Sequence, residues 1–181
     1  NIKEMSFKDH RGLFVENLKS KFTYTKKNIR LEETSIKTAQ SDFEGEVILK
    51  YDRKDFADFN NKVIFDVNSK KATIASNDIR YFYDELGKNQ IFDFRGKVDG
   101  TLNDFSIKNL KLKDTRNSEI VGDVNFKNLF AKKGQGEFYM NGSFDKVTSS
   151  YENLVSILPN VLGKKLPSSL KKLGQFNLNG D

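Results

Sequence analysis

His10 is the only histidine of this 181-residue chain, and Asp9 stands beside it. Nucleophilic catalysis needs a base held by an orienting group, and no such set can be assembled around this pair, so His10 reads as a surface residue. The chain has 0 cysteines, which removes disulfides, thiolate metal sites and Cys nucleophiles together. The acidic stretches "DRKD" (residues 52–55) and "DTRNSE" (114–119) lack the Asx spacing and central glycine of a calcium loop and read as turns. "GQG" at 134–136 is followed by no strand-to-helix junction, so it reads as a hairpin turn and not a phosphate cradle. "NGS" at 141–143 has the form of a glycosylation acceptor but falls inside a stretch with strand periodicity. The residues thus point to a non-enzymatic chain without cofactor or metal.

Charge offers a second chemistry. The chain carries 31 basic and 25 acidic side chains, a net charge of +6. Lys164, Lys165, Lys171 and Lys172 flank Pro167 and could meet anionic headgroups at about 1 kcal/mol apiece close to a membrane, or form a solvated polar face. A nucleic-acid surface would need cations and exposed aromatics on one face, whereas Lys and Phe alternate here and fall on opposite sides of a strand, so no nucleic acid is expected as a partner. The remaining resource is apolar: 16 Phe and 6 Tyr against 0 Trp. No apolar run approaches the roughly 18 residues of a membrane-spanning helix. With Asn instead of Met as its first residue, the chain is expected to be a fragment or a processed piece.

Those apolar residues must be positioned by extended segments, because most of them recur with period two. Phe43, Val47, Leu49 and Tyr51 alternate with mostly charged neighbours, and Val63, Phe65 and Val67 continue the habit. So do Phe92, Phe94, Val98 and Leu102, then Phe105 and Ile107, Leu110 and Leu112, Ile120, Val124 and Phe126, and Phe138, Met140 and Phe144. The change of parity between Ile107 and Leu110 predicts a β-bulge at Asn109. Turn signals at 52–55, 103–104, 114–117 and 132–136 separate the runs. Two stretches switch to helical spacing. Ile79, Phe82, Tyr83 and Leu86 predict a helix over 78–86, capped by Asn77 or Asp78 and stopped by Gly87. Tyr151, Leu154, Val155 and Leu158 predict another over 149–158, with Ser149 and Glu152 as a capping box and Pro159 as its end. A third, short helix is expected from Ser168 to Leu173.

One phrase occurs twice. "SDFEGEVIL" (41–49) and "SEIVGDVNF" (118–126) share Ser, Gly, Val and a large apolar residue at positions 77 apart. Each is followed by a strand, a one-sided helix and a strand of the type Phe92, Phe94, Gly96 or Phe176, Leu178, Gly180, with "PNVLGKK" as an insertion in the second copy. The chain is therefore expected to be one continuous β segment, residues 1–181, made of two approximate repeats at about 14–100 and 101–181.

A sheet apolar on one face needs that face covered, and two or three helices of about ten residues cannot cover some ten strands. The remainder must curl on itself or face something greasy. Burial of each methylene is worth about 0.8 kcal/mol, so an acyl chain of about 15 carbons would be held by roughly 10 kcal/mol without a polar key. The expected fold is mainly β: an elongated, curled antiparallel sheet forming a groove, with two or three short amphipathic helices. Candidate lining residues are Val47, Leu49, Val63, Phe65, Phe94 and Val98 in the first repeat, and Leu102, Ile107, Val124, Phe126, Met140 and Phe144 in the second.

The strands ending in "SEIVGDVNFKNLF" and the run "GEFYMNGSFDKVTSSYENLVSILPNVLGKKLPSSLKKLGQFNLNGD" resemble the repeat-rich C-terminal half of TamB-like proteins of the AsmA-like clan. The resemblance covers nearly the whole chain and rests on alternation, not on a catalytic signature. It implies a taco-shaped sheet spanning the periplasm of a Gram-negative cell, anchored in the inner membrane within the parent chain and docked to an Omp85-type outer-membrane barrel (TamA-like). The work it implies is carriage of phospholipid, by its acyl chains, to the outer membrane, or alternatively assembly of outer-membrane proteins by strand pairing with that barrel.

Overall fold

The computed structural model of the protein describes residues 1–129, 136–160 and 162–180. Alternation does what it predicts: the described residues form one open sheet of ten antiparallel strands in sequence order. These are β1 (Ile2–Lys8), β2 (Phe14–Tyr24), β3 (Asn28–Lys37), β4 (Asp42–Lys50), β5 (Ile64–Ala75), β6 (Ile91–Thr101), β7 (Asp104–Asp114), β8 (Glu119–Lys127), β9 (Tyr139–Ser150) and β10 (Gln175–Gly180). The turn expected at 132–136, with Gly134 and Gln135 of "GQG", lies outside the described residues except for Gly136.

Helical turns sit only at the strand ends. A 3₁₀ turn (Arg53–Asp58) runs into α1 (Phe59–Lys62) between β4 and β5. The turn α2 (Ser76–Ile79) follows β5. After β9 come α3 (Tyr151–Ile157), α4 (Leu162–Lys165) and a 3₁₀ turn, Ser168–Leu173, where the third short helix was expected.

The helix expected over 78–86 is a single turn. Its cap position is Ala75, with no side-chain cap bond. Asp78 instead accepts the hydroxyls of Thr38 and Ser41, both at 2.6 Å. The Arg80 guanidinium donates to the carbonyls of Asp84 and Leu86. These carbonyls are thereby satisfied by a side chain, and the chain beyond Ile79 is free to leave helical geometry. The second expected helix is present, but its cap is Ser150, which accepts from the Asn153 amide at 3.2 Å. Ser149 is buried and shares a 2.9 Å hydrogen bond with Ser118.

A line of register breaks crosses the whole sheet. All nine strand pairs shift register near mid-strand. The break in β7 falls between Ile107 and Leu110, and Asn109 there has φ 53°. In β3 the residue at the same station is Glu33, with φ 50°. The odd-numbered strands supply the extra residue, and the even-numbered strands meet it with a small one: Ser20, Gly45, Gly96, Gly122 and Gly180. A bulge bends its strand and sharpens the local twist. Nine in a row crease the sheet across its strands.

The creased face is the inner one. Gly45, Ser69, Gly96 and Gly122 are buried along it, whereas Glu33, Lys70, Asn109 and Asp145 on the reverse side are exposed. Gly45 and Gly122 are the repeated glycines of the two phrases. A Cβ on Gly45 would overlap the Asn68 carbonyl oxygen and lie 2.8 Å from the Phe43 ring; on Gly122 it would overlap the Ser143 carbonyl oxygen. The two serines of the phrases close equivalent turns. The Thr38 amide donates to the Ser41 carbonyl at 2.9 Å and the Asp114 amide to the Ser118 carbonyl at 3.1 Å.

Candidate functional site

The register of the strands assembles the inner face from ranks of side chains. On one side of the crease Phe22, Leu31, Val47, Val67, Val98, Ile107 and Val124 stand opposite one another in turn from β2 to β8. On the other side Met5, Leu18, Ile36, Phe43, Ala72, Phe94, Leu112, Ile120, Val147 and Leu178 run from β1 to β10. Between them lies the crease with its small residues. Two apolar walls meeting at a crease make a trough whose axis runs across the strands. Strand spacing of about 4.8 Å over nine gaps gives it a length of about 43 Å.

Most of this lining is neither sealed nor fully open. Ala72, Phe92, Leu110 and Val124, all in β5–β8, are buried at 2–6% exposure although no second sheet covers them. Towards the two ends the same face opens: Met5, Phe22 and Tyr24 in β1–β2, and Met140 and Leu178 in β9–β10, are 40–65% exposed. Val15 and Leu18 of β2 are the buried exceptions at that end.

The cover over the middle is the segment that failed to continue as a helix. From Ser76 to Gln90 the chain leaves and rejoins the sheet at one rim, where the Ser76 amide donates to the Gln90 carbonyl at 2.8 Å. Between these points Tyr83 donates its hydroxyl to the carbonyl of Leu129, at 3.1 Å. Leu129 follows β8 at the opposite rim, so the strap crosses the trough and ties its walls together. Burial of this phenol raises its pKa to about 12. The Gly87 amide donates to Ile157 at 2.9 Å and Asn160 to the Glu85 carboxylate at 2.5 Å, docking the strap on the end of α3. Arg11 lies over the Phe82 ring at 4.9 Å on the side of β1 and β2. The opposite rim is closed by rings, Tyr51 on Phe56 at 4.7 Å and Phe59 against Phe65 at 5.8 Å.

Of the residues expected to line the groove, ten lie on the inner face of the sheet. Leu49 and Phe65 are register partners, as are Phe126 and Met140; Val47, Val98, Ile107 and Val124 share a rank, Phe94 belongs to the other wall, and Phe144 faces Gly122 at the crease. Two do not belong to strands. Val63 follows α1 and is 0% exposed, packed at the rim, because the chain only turns into β5 after it. Leu102 occupies the turn between β6 and β7. Sequence periodicity missed the contributions of β1–β3 and the role of Tyr83. Of the basic cluster, Lys171 lies over the Tyr151 ring at 5.1 Å and Lys172 is exposed. The side chains of Lys164 and Lys165 lie outside the described residues. His10 pairs with Asp9 at 3.1 Å on the surface.

Among the described residues no helix is long and apolar enough to cross a membrane, and no three His, Asp or Glu side chains gather to hold a metal ion. No protein-family model matches the chain, and comparison with curated proteins and with solved structures yields no match.

Proposed function

We propose that the chain is a segment of a periplasmic bridge that conducts phospholipid from the inner to the outer membrane, the acyl chains lying in the trough, as the resemblance to TamB-like proteins implies. The observation that carries this reading is an apolar inner face kept in register across all ten strands and exposed towards both ends. A globular core would bury its largest apolar residues. Here Phe22, Tyr24, Met140 and Leu178 stay accessible on the very face that should be most hidden. The hydroxyls of Ser20, Thr34 and Ser69 at the crease are hydrogen-bonded within the sheet, so an acyl chain held by the apolar walls at about 0.8 kcal/mol per methylene can slide along them. The strap at Tyr83 crosses such a path.

The test places a photo-crosslinker at Phe65 or Phe126 and looks for lipid adducts, with native mass spectrometry of the detergent-free protein for co-purified phospholipid. Lipid adducts at these inner positions and none at outer positions such as Asn68 are expected. A folded protein that yields no lipid in either measurement refutes the reading. An aspartate at Phe126, which stacks on Phe105 at 5.1 Å, is expected to reduce lipid loading more than it reduces folding.

A second reading, an assembly module that pairs strands with an Omp85-type barrel, draws on a separate observation. Among the described residues β1 pairs only with β2 and β10 only with β9, so each presents one backbone edge to which a further strand could be added. It predicts protein crosslinks from the β1 and β10 edges and little bound lipid.

A further inference from the structure

On the outer face of the sheet the charges stand in register, and their pairing is uneven. Strands β4–β8 carry nine lysines and arginines. Six of them have a carboxylate within 4 Å. Lys50 and Lys97 share Asp66 at 2.9 and 3.8 Å, Lys70 meets Glu46 at 3.7 Å, and Lys108 meets Asp123 at 3.0 Å. Lys113 meets Glu119 at 3.1 Å and Lys127 meets Asp104 at 3.7 Å. The three that form no ion pair among the described residues, Lys71, Arg95 and Lys111, are neighbours. Arg95 and Lys111 are register partners across β6 and β7, and Lys71 lies in the β5 bulge that faces Arg95.

These three residues line one cleft of about 340 Å³ with Asp93 and Lys113 of the same face, and Ala72 and Phe94, which also belong to the trough wall, complete its lining. Two acids stand near the rank, and neither forms an ion pair with it among the described residues. Asp93 accepts the Thr73 hydroxyl at 2.8 Å and is the register partner of Lys113, and Glu44 is the register partner of Lys71 without reaching it as an ion pair.

Like charges directly opposite one another across strands destabilise a sheet. A face that neutralises its other central cations and leaves these three side by side, around a cleft, has room for an anion that supplies the missing charge. We propose that Lys71, Arg95 and Lys111 bind a phosphate group, as a phosphomonoester or phosphodiester. The chemistry selects this class. The Arg95 guanidinium can fork two oxygens of one anion, and a lysine on either side can take further oxygens. A phosphate offers a separate oxygen to each of three cations, whereas a carboxylate must divide two oxygens among them. Free phosphates and lipid headgroups both carry the required group. The three cations stand on the outer face of the sheet, opposite the apolar ranks of the trough.

The experiment titrates the whole chain with inorganic pyrophosphate at low ionic strength by calorimetry, for the wild type, Arg95→Gln, Lys111→Gln and the rim control Lys127→Gln, which loses the same charge. Saturable binding is expected, weakened at least tenfold by Arg95→Gln and by Lys111→Gln and changed less than twofold by Lys127→Gln, with acetate failing to compete. Flotation with vesicles containing phosphatidic acid separates the sources. Flotation that pyrophosphate reverses and Arg95→Gln abolishes identifies a headgroup; pyrophosphate binding without flotation identifies a soluble phosphate ligand. Absence of pyrophosphate binding at millimolar concentration overturns the proposal, as does equal weakening by Arg95→Gln and Lys127→Gln. Arg95→Gln should melt at or above the wild-type temperature in low salt, since it relieves repulsion. A lower melting temperature would show Arg95 to be a structural residue and would equally overturn the assignment.

Discussion

Alanine at Gly122 tests whether the crease depends on close backbone approach. Gly122 has φ +152°, and a Cβ there would overlap the Ser143 carbonyl oxygen and lie 2.8 Å from Phe144 Cα. Both obstacles are backbone of β9, so neither can rotate away. Forcing a methyl group into a packed site costs about 1–3 kcal/mol. The unfavourable backbone conformation adds about 1 kcal/mol, and the reduced freedom of the unfolded chain returns about 0.5 kcal/mol. The expected net loss is about 1.5–3.5 kcal/mol, a lowering of the melting temperature by about 3–14 °C for a chain of this size. Gly174 supplies the control. Its φ is +63° and nothing lies within 4 Å of a Cβ there, so Gly174→Ala bears the backbone term alone, about 1–2 kcal/mol. Urea unfolding followed by circular dichroism measures both. If Gly122→Ala costs no more than Gly174→Ala, the close approach of β8 to β9 is not what requires glycine, and the account of the repeated phrase fails.

Three further outcomes follow from particular contacts. Ser118→Ala leaves the buried Ser149 hydroxyl only its long 3.4 Å bond to the Ser150 carbonyl and should cost about 1 kcal/mol, whereas Ser118→Ala with Ser149→Ala should cost less than the sum of the single changes; a double-mutant cycle in urea reads the coupling. Tyr83 has its folded pKa raised to about 12 against 10.0 for the free phenol, so its contribution is complete below pH 10 and is lost as pH rises through 12. Tyr83→Phe should flatten that alkaline loss in unfolding curves at pH 9 and 11.5, and should speed hydrogen exchange of residues 80–87 by untying the strap. Asp66 is held below its ordinary pKa, first by the Lys50 hydrogen bond and then by the charges of Lys50, Lys97 and Arg30. Its contribution is present above pH 4 and lost as pH falls below that, so Asp66→Asn should reduce the acid sensitivity of the melting temperature while costing at most about 1 kcal/mol at pH 7.

Where the alternation runs unbroken, in β4, β6 and β8, strand, face and lining residues were legible from period two alone. The Asn109 bulge was legible because apolar residues sit on both sides of it and change parity visibly. The first three strands were not, since each is interrupted by extra residues that scramble the period. In β1 and β2 the register slips twice within a few residues, and in β3 the slip falls at Glu33, in a charged stretch where no apolar pair marks it. The stripe Ile79, Phe82, Tyr83 and Leu86 misled for a different reason. Its spacing fits a helix face, but the decisive interactions are at long range: Tyr83 reaches Leu129 and Gly87 reaches Ile157. Helical propensity of a short segment is weak against such docking.

The crease and the cation rank belong to a third kind of feature, which no window along the chain displays. Lys71, Arg95 and Lys111 are widely separated in sequence, and so are Gly45, Gly96 and Gly122; they become neighbours only once every intervening turn length has fixed the register. The two features share that origin. The bulge that bends β5 inserts the extra residue that sets Lys71 against Arg95 on the outer side while Ser69 stays at the crease on the inner side. Pairing the same residues without the bulge would exchange the faces of every residue beyond it, whereas removal of Lys70 would straighten β5 and keep those faces. A single register event thus sets the curvature of the trough on one face and the charge pattern on the other, so neither face can be redesigned at the crease without disturbing its reverse.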